Sequence, residues 1–262
     1  MGTSSVFIGS YPDWPSSSVT IDASAETVTA SKGGLYLVHE TDTTLSLLAQ
    51  FVAAMTSAGV TNPAAFIAQD RKVRLTADAN FTVTWVDARV ATYMGFDSTA
   101  NLSGASSYTA DTPSPLLWSP GMTDSPTATP LSVNGRKVHD VISGTAPGGA
   151  QFTRRLSSLR EYDYEFGSVL LARHATSADA GGEYFRFFEE VLVGGFRMFH
   201  YREVTEDDAS SSAMTLTSGI GPMRRRPDGT IRPRNERMAG LERVDAYFVH
   251  RIHAWETTEY TA

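Results

Sequence analysis

Between Glu161 and Phe166 the chain reads Glu-Tyr-Asp-Tyr-Glu-Phe, carboxylate and aromatic in strict alternation. Only an extended backbone, with side chains on opposite faces at a period of two, separates these two classes. The run predicts a half-buried strand with Glu161, Asp163 and Glu165 on one face and Tyr162, Tyr164 and Phe166 on the other. The same period recurs from Phe81 to Val86, where Phe81, Val83 and Trp85 share a face and Thr82 and Thr84 take the other. A chain with this patterning must build sheets that are apolar on one side.

Further strands are predicted at Val19 to Asp22, Glu26 to Ala30, Leu35 to His39, Ala65 to Ala68, Lys72 to Leu75, Arg136 to Ile142, Phe196 to Val204 and Val244 to Trp255. The stretch from Gln151 to Arg173 reads as two strands or one bent strand. Helical spacing is confined to three places. Leu45, Leu48, Phe51, Val52 and Met55 follow a cap at Asp42, Thr43 or Thr44 and precede a stop at Gly59. A short helix with Val90, Tyr93 and Met94 starts at Asp87 and ends at Gly95. Glu183 to Val193 carries a wide aromatic face and is stopped by Gly194-Gly195. The expected class is α+β, mostly antiparallel β-sheet with a few helices and long irregular arms.

Residues 97–130 change character: 20 of the 34 are Ser, Thr, Pro or Gly. The segment still carries Leu102, Tyr108, Leu116, Leu117 and Trp118, anchors that a pure linker lacks. It reads as an arm dividing an N-terminal α+β domain (1–96) from a C-terminal β-rich domain (131–262), with Leu116, Leu117 and Trp118 laid across a neighbouring subunit. Residues 205–242 read as polar and irregular.

There is no cysteine in 262 residues, which removes disulfides, thiolate metal sites and cysteine nucleophiles. A net charge of −7 disfavours general nucleic-acid binding. No apolar run approaches the ~20 residues a membrane helix needs, so no membrane insertion is expected. The first residues lack the basic segment of a signal peptide, and Val6 stands where a myristoylation motif needs Ser or Thr; synthesis in a cytoplasm is expected.

Catalytic and metal patterns are not found. The six histidines are scattered, and His250 and His253, three apart in a predicted strand, fall on opposite faces. Gly-x-Ser-x-Gly, the Walker loop, Gly-x-Gly-x-x-Gly and calcium-loop spacing are absent from the sequence. Neither Glu161/Asp163 nor Glu189/Glu190 has a recognisable partner on another element for hydrolysis. The chain is therefore expected to be no enzyme and to need no cofactor or metal. Two charged segments stand out. Glu161, Asp163 and Glu165 form an acidic face, expected to be a solvated sheet face or, if the protein is a ring, the lining of its lumen. Arg224, Arg225, Arg226, Arg232, Arg234 and Arg237 put six arginines in 14 residues. Without interleaved aromatics this loop suits contact with a neighbour's acidic strand better than specific nucleic-acid recognition.

The segments Phe81 to Asp87, Met94-Gly95-Phe96, Asn101 to Ala110 and Ser114 to Pro120 resemble a stretch of uncharacterised, tail-type structural virion proteins of tailed bacteriophages. The C-terminal half is similar to theirs in an aromatic strand (Tyr162 to Phe166), an aromatic helix followed by Gly-Gly (Tyr184 to Gly195) and a final strand near Trp255. About half the chain is covered, and no catalytic residue carries over. The resemblance implies a virion protein of the tail: a tail tube, distal-tail or baseplate ring component. Its partners would be copies of itself and other virion proteins, with pairing of sheet edges between subunits as the expected mechanism. A head–tail connector or capsid-surface protein is the near alternative. A second is a glycan or receptor binder at the tail tip using Trp14 or Trp118.

Overall fold

A computed structural model describes residues 3–11, 18–22, 26–29, 35–39, 43–85, 88–119, 132–145, 149–170, 186–192, 197–205, 209–225 and 247–256. The strands are β1 (Thr3–Tyr11), β2 (Ser18–Asp22), β3 (Glu26–Thr29), β4 (Leu35–Tyr36), β5 (Ala64–Ile67), β6 (Val73–Trp85), β7 (Leu102–Thr109), β8 (Leu117–Trp118), β9 (Ser132–Thr145), β10 (Gln151–Leu170), β11 (Met198–Thr205), β12 (Thr215–Arg225) and β13 (Tyr247–Glu256). The described residues also form helices α1 (Leu47–Ser57) and α2 (Ala88–Met94), a 3₁₀ turn, Thr43–Leu45, and a π-helical turn, Arg186–Val191. Every strand pairing is antiparallel, and the fold is α+β and mostly β, as the alternation requires.

Two sheets form. The larger runs β4-β1-β11-β12-β13-β10-β9, with β8 also on β1; the smaller runs β3-β2-β6-β5, with β7 on the other edge of β6. β1 is the pivot. It pairs with β11 on one side and with β8 and β4 on the other, and Val6, Phe7 and Ile8 are all fully buried. A strand apolar at three consecutive positions, rather than alternately, is covered on both faces. The sheets are also stitched directly: Met214 N–H donates to the Ile67 carbonyl (2.7 Å) and Gln69 N–H to that of Ser212 (2.9 Å). One apolar core draws on both sheets and α1.

Sheet membership crosses the expected division of the chain. β1, β4 and β8 belong to the larger sheet, so sheet boundaries do not follow the 1–96 and 131–262 limits. The 97–130 segment is no free arm over its described part: Leu102–Thr109 is β7 in the smaller sheet, and Leu116, Leu117 and Trp118 are buried (0%, 3% and 1% exposed). Ser103, Ser107 and Thr109 take exposed positions on β7, which among the described residues pairs with β6 alone. Tyr108 Oη donates to the Phe81 carbonyl (2.7 Å).

Local signals set the helices. Ser46 caps α1, its hydroxyl accepting from Ala49 N–H at 3.3 Å, while Thr43 and Thr44 lie in a preceding 3₁₀ turn. The expected cap is thus displaced by a few residues; Leu48, Phe51 and Met55 are buried as their spacing predicts. Gly95 ends α2 at φ +84°, where a Cβ would collide with the Thr112 carbonyl. Two predicted strands, at Lys72 and Phe81, are one 13-residue strand, β6. Part of the region expected to be irregular, 215–225, is β12. The predicted helix at Glu183 is, over its described residues, the single π turn, with Leu192 N–H donating to the Phe187 carbonyl.

Candidate functional site

On β11, His200 and Arg202 stand opposite Ile8 and Val6 and share one face; Phe199 and Tyr201 take the other. Both His200 and Arg202 are buried (3% and 5% exposed). Room for them comes from glycines on the next strand. A Cβ at Gly219 would overlap the Arg202 guanidinium, and one at Gly221 would crowd the His200 ring. The His200 ring lies edge-on to Tyr36 (centroids 4.4 Å apart) and to His39 (5.0 Å). Burial, then the Arg202 charge, then His39 pull its pKa down to about 3, so the imidazole is neutral at pH 7.

The opposite face of the same strands is an aromatic cluster. Phe7 packs on Trp118 (5.3 Å), Tyr201 (5.4 Å) and Phe199 (5.9 Å). The Tyr201 and Ser5 hydroxyls share a 3.2 Å hydrogen bond. Burial raises the Tyr201 pKa, so it remains a phenol. Phe187 of the π turn and Leu192 just after it lie over Gly9, leaving little space for a side chain there.

Beside His39 opens a pocket of about 400 Å³ between α1, β5 and the start of β12. Its walls are apolar, with Val38, Val52, Phe66, Met214 and Leu216 prominent; His39 and Ser46 supply its polar side chains. The Ser46 hydroxyl already accepts from α1, and among the described residues no carboxylate lines the space. Such a pocket can take up an apolar group. Among the described residues no three His, Asp or Glu side chains gather as a metal site requires. Nor is any described helix long and apolar enough to cross a membrane.

The residues singled out in the sequence are spread rather than brought together. Leu116, Leu117 and Trp118 sit in the chain's own core, Leu117 and Trp118 paired with Ile8 and Phe7. This corrects their expected role on a neighbour, and it removes Trp118 as a glycan platform; Trp14 lies outside the described residues. Arg224 and Arg225 end β12, Arg224 in register with Met198 and Trp255 and Arg225 with Ala254. Arg226, Arg232, Arg234 and Arg237 lie outside the described residues. Glu161, Asp163 and Glu165 lie on β10 between β9 and β13. Glu161 is opposite Arg136, Asp163 opposite His253 and Glu165 opposite Arg251. Directly opposed residues share a face, so the acidic row has basic positions across from it within the same sheet. His250, opposite Phe166, falls on the other face from His253, as the spacing implies. His200, Arg202 and the Gly219-Ile220-Gly221 run carried no sequence signal alone; their meaning depends on β11 lying beside β12.

Comparison with protein-family models, curated proteins and solved structures gives no match.

Proposed function

We propose that the chain is a structural subunit of a tailed-phage virion, a tail tube, distal-tail or baseplate ring component that works by assembling with copies of itself and with other virion proteins. The resemblance in sequence suggests the class. The structural observation that supports self-assembly is β9. This 14-residue strand ends the larger sheet, and among the described residues it pairs only with β10. Long, unpaired edges are templates for another chain, and natural proteins normally blunt or cover them. Pairing across such an edge supplies affinity through main-chain hydrogen bonds, without pocket chemistry.

The interior suits a mechanical role. His200 is held neutral and out of solvent, and the pocket beside it is apolar. Negative-stain imaging of the concentrated protein tests the reading. Closed rings or stacked tubes of one rotational symmetry are expected; isolated particles of 28.4 kDa at every concentration contradict it.

A further inference from the structure

β10 has two regimes. From Glu161 onward it pairs with β13, and as far as Glu165 with β9 as well; from Gln151 to Arg160 its strand partner among the described residues is β9 alone. Residues 137–145 and 151–160 therefore form a two-stranded ribbon running past the end of β13, about 30 Å long at ~3.4 Å per residue. A two-stranded ribbon by itself is marginal in water; lasting order needs a third strand or a packed face.

Its register sorts the sequence by face. Val138, Asp140, Ile142 and Gly144 of β9 align with Leu159, Ser157, Arg154 and Phe152 of β10, and the bulge at Leu156 keeps the alternation in step. Val138, Ile142, Phe152 and Leu159 thus fall on one face, together with Asp140, Arg154 and Ser157. Lys137, His139, Val141, Ser143 and Thr145 fall on the other with Arg160, Ser158, Arg155, Thr153 and Gln151. The ribbon has the two-faced pattern of a strand pair that packs on something. It is also basic, with Lys137, Arg154, Arg155 and Arg160 against Asp140, on a chain of net charge −7. The rest of the molecule has the opposite character. Outside the ribbon, Asp78, Asp97, Asp111, Glu190 and Glu203 are exposed, against Arg89 as the one exposed base among residues of described burial. Asp97 and Asp111 are adjacent, Asp97 N–H donating to the Asp111 carboxylate at 2.8 Å.

We infer that the β9–β10 ribbon is the element by which one copy grips the next: the basic ribbon of one subunit lies on the acidic body of a second copy of this chain. The contact is head-to-tail, ribbon to body, and repetition of such a contact closes into a ring or runs on as a tube. This rests on the self-assembling reading above, which it deepens by naming the interface. Opposite charge sets register and encounter rate, and the apolar row supplies the buried area.

Sedimentation velocity on the full-length protein tests it, using two variants that alter the ribbon differently. One is R154E/R155E/R160E; the other replaces residues 139–158 with Asn-Gly, a two-residue hairpin turn. The expected result is an assembling wild type and two variants that lose the assembled species while keeping the wild-type melting temperature. The wild-type assembly should also dissociate as salt rises from about 0.1 M to about 1 M, which shortens the screening length from ~10 Å to ~3 Å. A variant that folds and assembles like wild type overturns the inference but leaves the structural reading standing. A wild type that is monomeric at all concentrations overturns both. Ribbon-dependent binding to a short DNA duplex, without self-association, also overturns the inference and assigns the basic surface to nucleic acid.

Discussion

His200 turns its burial into a pH dependence whose sign is fixed. An unfolded histidine titrates near 6.5, whereas this one, beside Arg202 and His39 and against Tyr36, titrates at about 3. Below pH 6.5 the unfolded chain takes up a proton that the folded chain refuses. The stability contribution is complete above 6.5 and is lost as pH falls toward 3, amounting to about 2 kcal/mol at pH 5. Melting temperatures between pH 7.5 and 5, above the range where ordinary carboxylates titrate, should fall for wild type. They should fall less for His200→Leu; parallel slopes would contradict the assignment. Gly219→Ala is expected to destabilise by about 1–3 kcal/mol, because the added methyl displaces the Arg202 guanidinium from a packed site. Thermal denaturation checks this, and a neutral outcome would mean that Arg202 has somewhere else to go. None of this was legible at the level of single residues. His200 and Arg202 look like ordinary strand polar residues until β1 covers one side of β11 and β12 the other.

Elements were readable where their signal is local and misread where a partner strand decides. The spacing of Leu48, Phe51 and Met55 identifies α1 without help, and Ser46→Ala should cost about 1 kcal/mol as a lost cap. The sequence reading divides β6 into two strands, with Asp78, Ala79 and Asn80 between them. They are exposed, yet the strand runs through them, held by β5 at one end, β2 at the other and β7 alongside. The Ser/Thr/Pro-rich segment misled in the same way. Composition alone does not tell an edge strand and a buried tether from an arm. The consequence is measurable: Trp118→Ala should lose about 3–5 kcal/mol of stability, and deletion of Leu116 to Trp118 should abolish folding. A folded, non-assembling deletion variant would restore the arm reading. The projecting part of the acidic strand, by contrast, could not be foreseen, since it depends on where β13 stops pairing.

At the scale of the molecule, β1 and the bonds from β5 to residues 209–214 make the two sheets one cooperative unit. Calorimetry should therefore show a single unfolding transition with calorimetric and van't Hoff enthalpies in agreement; two separated transitions would mean that the sheets are independent domains. Pairing of the first strand with β11, nearly two hundred residues away, is the feature that sequence pattern could least supply, because alternation fixes faces but not neighbours. The same long-range topology leaves β9, among the described residues, at the edge of the larger sheet with β10 as its strand partner, and the account of function depends on that. Its most direct test is mass photometry of the purified full-length chain over a concentration series at low salt. The account predicts discrete species at integer multiples of 28.4 kDa that grow with concentration toward one closed stoichiometry. A single 28.4 kDa species across the whole range would contradict it.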